Sequence, residues 1–121
     1  MTRTLLPELH DHETRLALAE AVLAVLGEWG VAPATQAELL GLAGAARPSP
    51  GQPLPDDPAV LERAGHLLAI ERALKRRHPD DPAERHAWLM LPAAELAARP
   101  PLRAMLDGTS GIVRVRELLE A

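Results

Sequence analysis

The tetrapeptide Asp-Asp-Pro-Ala occurs twice, at 56–59 and at 80–83, and constrains the fold more than any other feature of the chain. An Asp side chain accepts a backbone N–H at the open end of a helix. A Pro directly after it occupies the first helical position, where no amide is needed. Two helices are therefore expected to begin at Pro58 and Pro82. At the second copy Glu84 supplies the partner of a capping box, reaching back to the cap amide. Ahead of it, Lys75, Arg76 and Arg77 fall in the last turn of the preceding helix, where positive charge complements the macrodipole. Pro79 forbids continuation past His78. The stretch 73–89 is thus the corner between helices over 58–78 and 82–91. The first is expected to bury Leu61, Ala64, Leu67, Leu68 and Leu74, the second Trp88, Leu89 and Leu91.

The remaining composition points the same way. The chain has 121 residues, with no Phe, Tyr or Cys and only two Trp, so its core is built from Leu, Val, Ala, Trp29 and Trp88. Strand formers are scarce while Ala, Leu, Glu and Arg abound, which predicts an all-α fold. A chain this long buries roughly two thirds of its unfolded surface and folds without staples. The lack of cysteine excludes disulfides, thiolate zinc sites and a catalytic thiol. The start, MTRTLLPELHDHE, has no apolar run suited to a signal peptide, and no stretch is suited to crossing a bilayer, so a cytoplasmic location with no membrane partner is the expectation.

A helix is predicted over 12–27, with Leu16, Leu18, Val22, Leu23, Val25 and Leu26 within one half of its wheel and Glu20 and Glu28 on the other. So wide an arc requires at least two packing neighbours. Together with Trp29, set between Gly27 and Gly30, it predicts a homodimer. Thr35 and Glu38 form a second capping box, predicting a short helix over 36–42. The segment 47–58 holds five of the twelve prolines and reads as an extended connector. The expected organisation is a helical subdomain over 1–47, a connector over 48–57 and a second helical domain over 58–121. Within the last, a turn is expected over 93–98 and a helical turn ending at Gly108. The final helix is expected over 111–120, capped by Thr109 or Ser110, with Ile112, Val115, Leu118 and Leu119 facing one side.

Charge limits the partners. Residues 1–55 carry three basic and six acidic side chains and residues 56–121 ten and eleven, and the two balances of −3 and −1 sum to the net −4. Neither half has the positive excess that drives phosphate binding by counterion release. The segment 27–42 nevertheless begins as a helix-turn-helix unit does, with Thr35, Gln36 and Arg47 as the candidate DNA contacts. Its reading element, AGAARPSPGQ, offers Arg47 alone and is ended by Pro48 and Pro50. His78, Asp80, Asp81 and His86 have metal-ligand chemistry but serve the corner, and their spacing matches no metal motif. The run His10, Asp11, His12 and Glu13 is a polar lead-in to a helix, and His66 lies among Leu and Ala. No phosphate loop, nucleophile elbow or isolated carboxylate pair is present, so no catalytic residues, metal or cofactor are expected and the chain is read as a non-enzyme.

From Leu61 to the end the chain resembles the toxin-binding domain of the Xre/MbcA/ParS antitoxin family. The residues that carry the likeness are Leu67, Leu68, Ile70, Ala73 and Leu74, then Pro79 and Asp80, then Trp88, Leu89 and Pro92. Pro101, Leu102, Leu106, Gly108, Val115, Arg116 and Leu119 complete it. The N-terminal half is more loosely similar to the family's Xre-like helix-turn-helix, with AELLGL its best piece. The resemblance implies a type II antitoxin partnered with a RES-domain toxin that degrades NAD or transfers ADP-ribose. It also implies a dimer that obstructs the toxin's NAD pocket with its C-terminal domain and represses its own operon with the N-terminal one. Two departures stand out: prolines replace the recognition helix, and Glu71 replaces the aromatic that follows the isoleucine.

The last helix and the turn over 108–111 are the expected toxin-binding surface, comprising Gly108, Gly111, Val113, Arg114, Arg116, Glu117, Glu120 and Ala121. A dinucleotide cleft offers positive charge, which Glu117, Glu120 and the carboxylate of Ala121 complement. Val113 is the expected apolar anchor, and Arg114 and Arg116 the partners of acidic groups at the cleft rim. A DNA-binding autorepressor remains the alternative reading.

Overall fold

The computed structural model describes residues 11–42 and 49–121, and over them it is all-α. Six helices form: α1 (His12–Glu28), α2 (Pro33–Leu40), α3 (Pro58–Arg77), α4 (Pro82–Met90), α5 (Pro101–Met105) and α6 (Thr109–Glu120), with a 3₁₀ turn at Ala94–Leu96. The chain divides into two units, Met1–Gly65 and His66–Ala121, the division falling inside α3. Among the described residues no helix is long and apolar enough to cross a membrane.

In the first unit, α1 buries Ala19, Val22 and Leu26 at the centre of the predicted arc and leaves Leu16, Leu18, Leu23 and Val25 half-buried. It ends on Gly30, whose φ of 75° only glycine adopts freely. The Gly30 amide bonds the Gly27 carbonyl and the Val31 amide bonds that of Leu26. These two bonds are a Schellman closure. Trp29 is 5% exposed and so needs no second copy to cover it.

The start of α2 differs from expectation. It begins at Pro33, with Ala32 in the cap position and no side-chain cap, so Thr35 is the third helical residue and its capping box with Glu38 does not form. Pro33, its φ already set for a first turn, outcompetes the hydroxyl two residues later. Gly41, at φ 76°, closes α2 with a second Schellman pair, Gly41 to Glu38 and Leu42 to Ala37. The Arg63 guanidinium lies over Gly41 and donates to the Glu38 carbonyl at 3.3 Å.

The proline-rich segment is tied to α1 over its described part. Leu54 is fully buried, its amide bonds the Arg15 carbonyl at 3.2 Å, and its own carbonyl accepts from the Arg15 guanidinium at 2.7 Å. Asp57 then caps α3 as the first Asp-Pro copy requires, its Oδ1 accepting the Ala59 amide at 3.0 Å.

In the second unit the rest of α3, with α4, α5 and α6, encloses Leu67, Ile70, Leu74, Leu89, Leu96, Met105, Ile112, Val115 and Leu119. Burying one such side chain stabilises the fold by about 2 kcal/mol. The predicted corner forms. Asp81 Oδ1 accepts the Glu84 amide at 3.1 Å, and Arg85 donates to the His78 and Pro79 carbonyls at 2.6 and 3.3 Å, serving the open end of α3 from the next helix. The reciprocal half of the capping box is replaced, because the Asp81 amide bonds the His78 carbonyl at 3.5 Å. Leu91, expected in the core, is 61% exposed, while Trp88, Leu68 and Leu118 are half-buried. Pro92 holds Leu91 in extended backbone (φ −90°, ψ 141°), off the helical face that carries Leu89 inward.

Candidate functional site

A concavity lies in the second unit, between the 3₁₀ turn, α5 and α6. It is a cleft of about 490 Å³ lined by Leu96, Ala97, Arg99, Ala104, Asp107, Ser110, Gly111, Arg114 and Glu117. One wall is a tight reversal in which Ala97 and Ala98 sit at φ 58° and 63°. The reversal is closed by the Ala98 amide on the Ala93 carbonyl and the Ala93 amide on the Arg99 carbonyl. Left-handed backbone costs an alanine about 1 kcal/mol relative to the right-handed form. The reversal delivers Arg99 to the cleft just before Pro100 and Pro101 begin α5 in extended and helical geometry respectively.

The opposite wall is α6. It starts at Thr109, so neither Thr109 nor Ser110 is its cap. Gly108 takes that position at φ 119°, ψ −162°, with no side-chain cap. Gly111 is buried where α6 crosses α5. A Cβ there would overlap the Ala104 carbonyl oxygen, so the position admits nothing larger than hydrogen. That close approach sets Ile112, Val115 and Leu119 into the core and turns Ser110, Arg114 and Glu117 toward the cleft.

Arg99 and Asp107 meet as a two-point pair, Nη1 to Oδ1 at 3.1 Å and Nη2 to Oδ2 at 2.9 Å, with about half of each side chain exposed. The hydrogen bond from Arg99, assisted by its charge, holds the Asp107 carboxyl below its ordinary value. Arg114 donates to the Glu95 carbonyl at 2.7 Å. The cleft therefore carries two guanidiniums and two carboxylates, and one carboxylate already sits in the fork of one guanidinium.

Of the residues expected at the toxin-binding surface, the structure gathers Gly111, Arg114 and Glu117 on this cleft, with Gly108 at the foot of α6. Arg116 belongs elsewhere: it pairs with Glu120 at 3.2 Å and meets His66 Nδ1 at 2.9 Å. Val113 is half-buried rather than fully exposed, and Glu120 and Ala121 are exposed. Of the DNA candidates, Thr35 is half-buried within α2. Gln36 is 6% exposed, its Nε2 donates to the Val31 carbonyl at 2.8 Å, and its Oε1 is buried without a partner. Arg47 lies outside the described residues.

Arg99 and Asp107 were not legible as a pair, since a spacing of eight follows no helical period across two prolines. Among the described residues no three His, Asp or Glu side chains gather as a metal site. No protein-family model matches the chain, and no curated protein matches it.

Proposed function

We propose that this chain is an antitoxin that binds and neutralises a RES-domain toxin by covering its NAD pocket with α6. The observation that supports this best is how α6 is mounted. Gly111, Ile112, Val115 and Leu119 hold it down along one side, which leaves Arg114, Glu117 and Glu120 outward on the helix. Fixed, outward charge complements a cleft built for phosphates without the entropy cost of ordering a tail. Val113, half-buried at the edge of that face, supplies apolar contact. In this reading the protein works in the cytoplasm, where NAD is available, as a homodimer that consumes no cofactor.

Operator binding is the weaker reading. Gln36 spends its amide inside the first unit, and neither half of the chain has a positive excess.

Growth rescue on co-expression with the product of an adjacent toxin gene tests the proposal. Deleting the end of α6 is the wrong variant, because Val115 and Leu119 belong to the core. Glu117→Arg with Glu120→Arg keeps the core and reverses the face. The expected result is a folded protein whose toxin affinity falls at least about tenfold, a loss typical of reversed charges at an interface. If the folded double variant rescues growth as well as the wild type, the proposal fails.

A further inference from the structure

We infer that the cleft between the 3₁₀ turn and α6 is a receptor for a carboxylate side chain of a protein partner, and that Asp107 is the internal stand-in for it. The inference deepens the toxin-binding reading by assigning the partner an acidic residue at this cleft. Arg99 presents its guanidinium to Asp107 in the two-point geometry that suits a carboxylate, at 3.1 and 2.9 Å. The two side chains are 47% and 50% exposed, so a carboxylate from outside reaches the same fork without unpacking anything. An exposed pair of this kind is only weakly bound, so Asp107 yields the fork at small cost, but it then stands beside the incoming carboxylate and keeps the affinity of the wild type low.

The rest of the cleft suits the same guest. Arg114 spends one N–H on the Glu95 carbonyl, and a guanidinium has five donors, so others remain for a ligand on this wall. Ser110 adds a hydroxyl, and Leu96, Ala97 and Ala104 give the guest's methylenes an apolar floor. Asp107 and Glu117 on the walls set the limit of charge: they oppose any anion, and a phosphate dianion about twice as strongly as a single carboxylate. The scaffold is rigid where rigidity serves this role, because the Gly111 approach and the closed Ala97–Ala98 reversal fix both walls.

The test titrates the full chain with the capped tripeptide acetyl-Ala-Asp-Ala-amide, followed by amide chemical shifts, with the Asn tripeptide as control. The wild type is expected to bind weakly, with shifts centred on Ala97, Arg99, Ser110 and Arg114. Asp107→Asn, which empties the fork, is expected to tighten binding by about threefold, the worth of an exposed ion pair. Adding Arg99→Gln to that variant is expected to abolish binding, and the Asn peptide is expected to give no shifts. Equal affinity in wild type and Asp107→Asn, or shifts centred elsewhere, would overturn the inference. Growth rescue reads the antitoxin proposal separately: peptide binding at the cleft without rescue keeps this site and removes the toxin, and rescue without peptide binding does the reverse.

Discussion

Between α3 and α4 the chain turns on a carboxylate: Asp81 accepts the Glu84 amide in the first turn of α4, Pro82 takes the first helical position, and Arg85 reaches back to the His78 and Pro79 carbonyls just past α3. Between α5 and α6 it turns on two glycines. Gly108 takes a φ of 119°, and Gly111 lets one helix rest directly on the backbone of the other. The first corner is held by chemistry within a few residues of itself, the second by the absence of side-chain atoms at one crossing. A corner of the first kind tolerates small losses. A corner of the second kind fails when a single methyl is added.

Gly111→Ala is therefore the sharpest way to break the second corner. It is expected to destabilise the protein by about 3 kcal/mol, the upper end for overpacking, because the obstructing atom is backbone and cannot rotate away. Urea denaturation measures it, and an effect under about 1 kcal/mol would show that the crossing is loose. At the first corner, Asp81→Ala is expected to cost about 1 kcal/mol, and Asp57→Ala at the equivalent start of α3 about the same. If the two caps differ several-fold, the repeated tetrapeptide does not do the same work in both places. Ala98→Gly has the opposite sign, relieving a left-handed residue beside the second corner, and is expected to stabilise by somewhat under 1 kcal/mol.

The smallest effect is a matter of pH. Arg99 lowers the folded-state value of Asp107, so the pair's contribution is complete above the unfolded value and disappears as pH falls through the lowered folded one. Melting temperatures of wild type and Asp107→Asn are expected to lie slightly apart at neutral pH and to converge as pH falls below the ordinary carboxylate range. A gap of constant size across that range would mean the substitution acts through something other than the ion pair.

The same contrast explains what the sequence made legible. The Asp-Pro starts at 57 and 81, the glycine stop at 30, and most of the inward faces of α1, α3 and α6 are local or periodic and could be read directly, whereas the helix expected over 36–42 ends at Leu40 because Gly41 turns left-handed. Thr35 misled because Pro33, two residues earlier, satisfied the same helix end by a different route. Leu91 misled because helical periodicity was carried one residue past the point where Pro92 forces extended backbone. At the cleft, Arg114 and Glu117 could be found on the wheel of the last helix. Arg99 and Asp107 could not, since their meeting depends on the left-handed Ala97–Ala98 reversal, and nothing in two alanines announces one. Gly111 reads from the sequence as part of a partner surface; that its size is also needed at the α5–α6 crossing shows only in three dimensions.

The reciprocal pairing of Leu54 with Arg15 has a consequence for amide exchange. In the sequence Pro53-Leu54-Pro55 only the middle residue owns an exchangeable backbone proton, and that proton is spent on α1. Deuterium uptake across this tract should accordingly contain one slow site with no measurable neighbour on either side. That solitary signal, followed as denaturant rises, would time the detachment of the proline tract from α1 separately from the loss of the helices themselves.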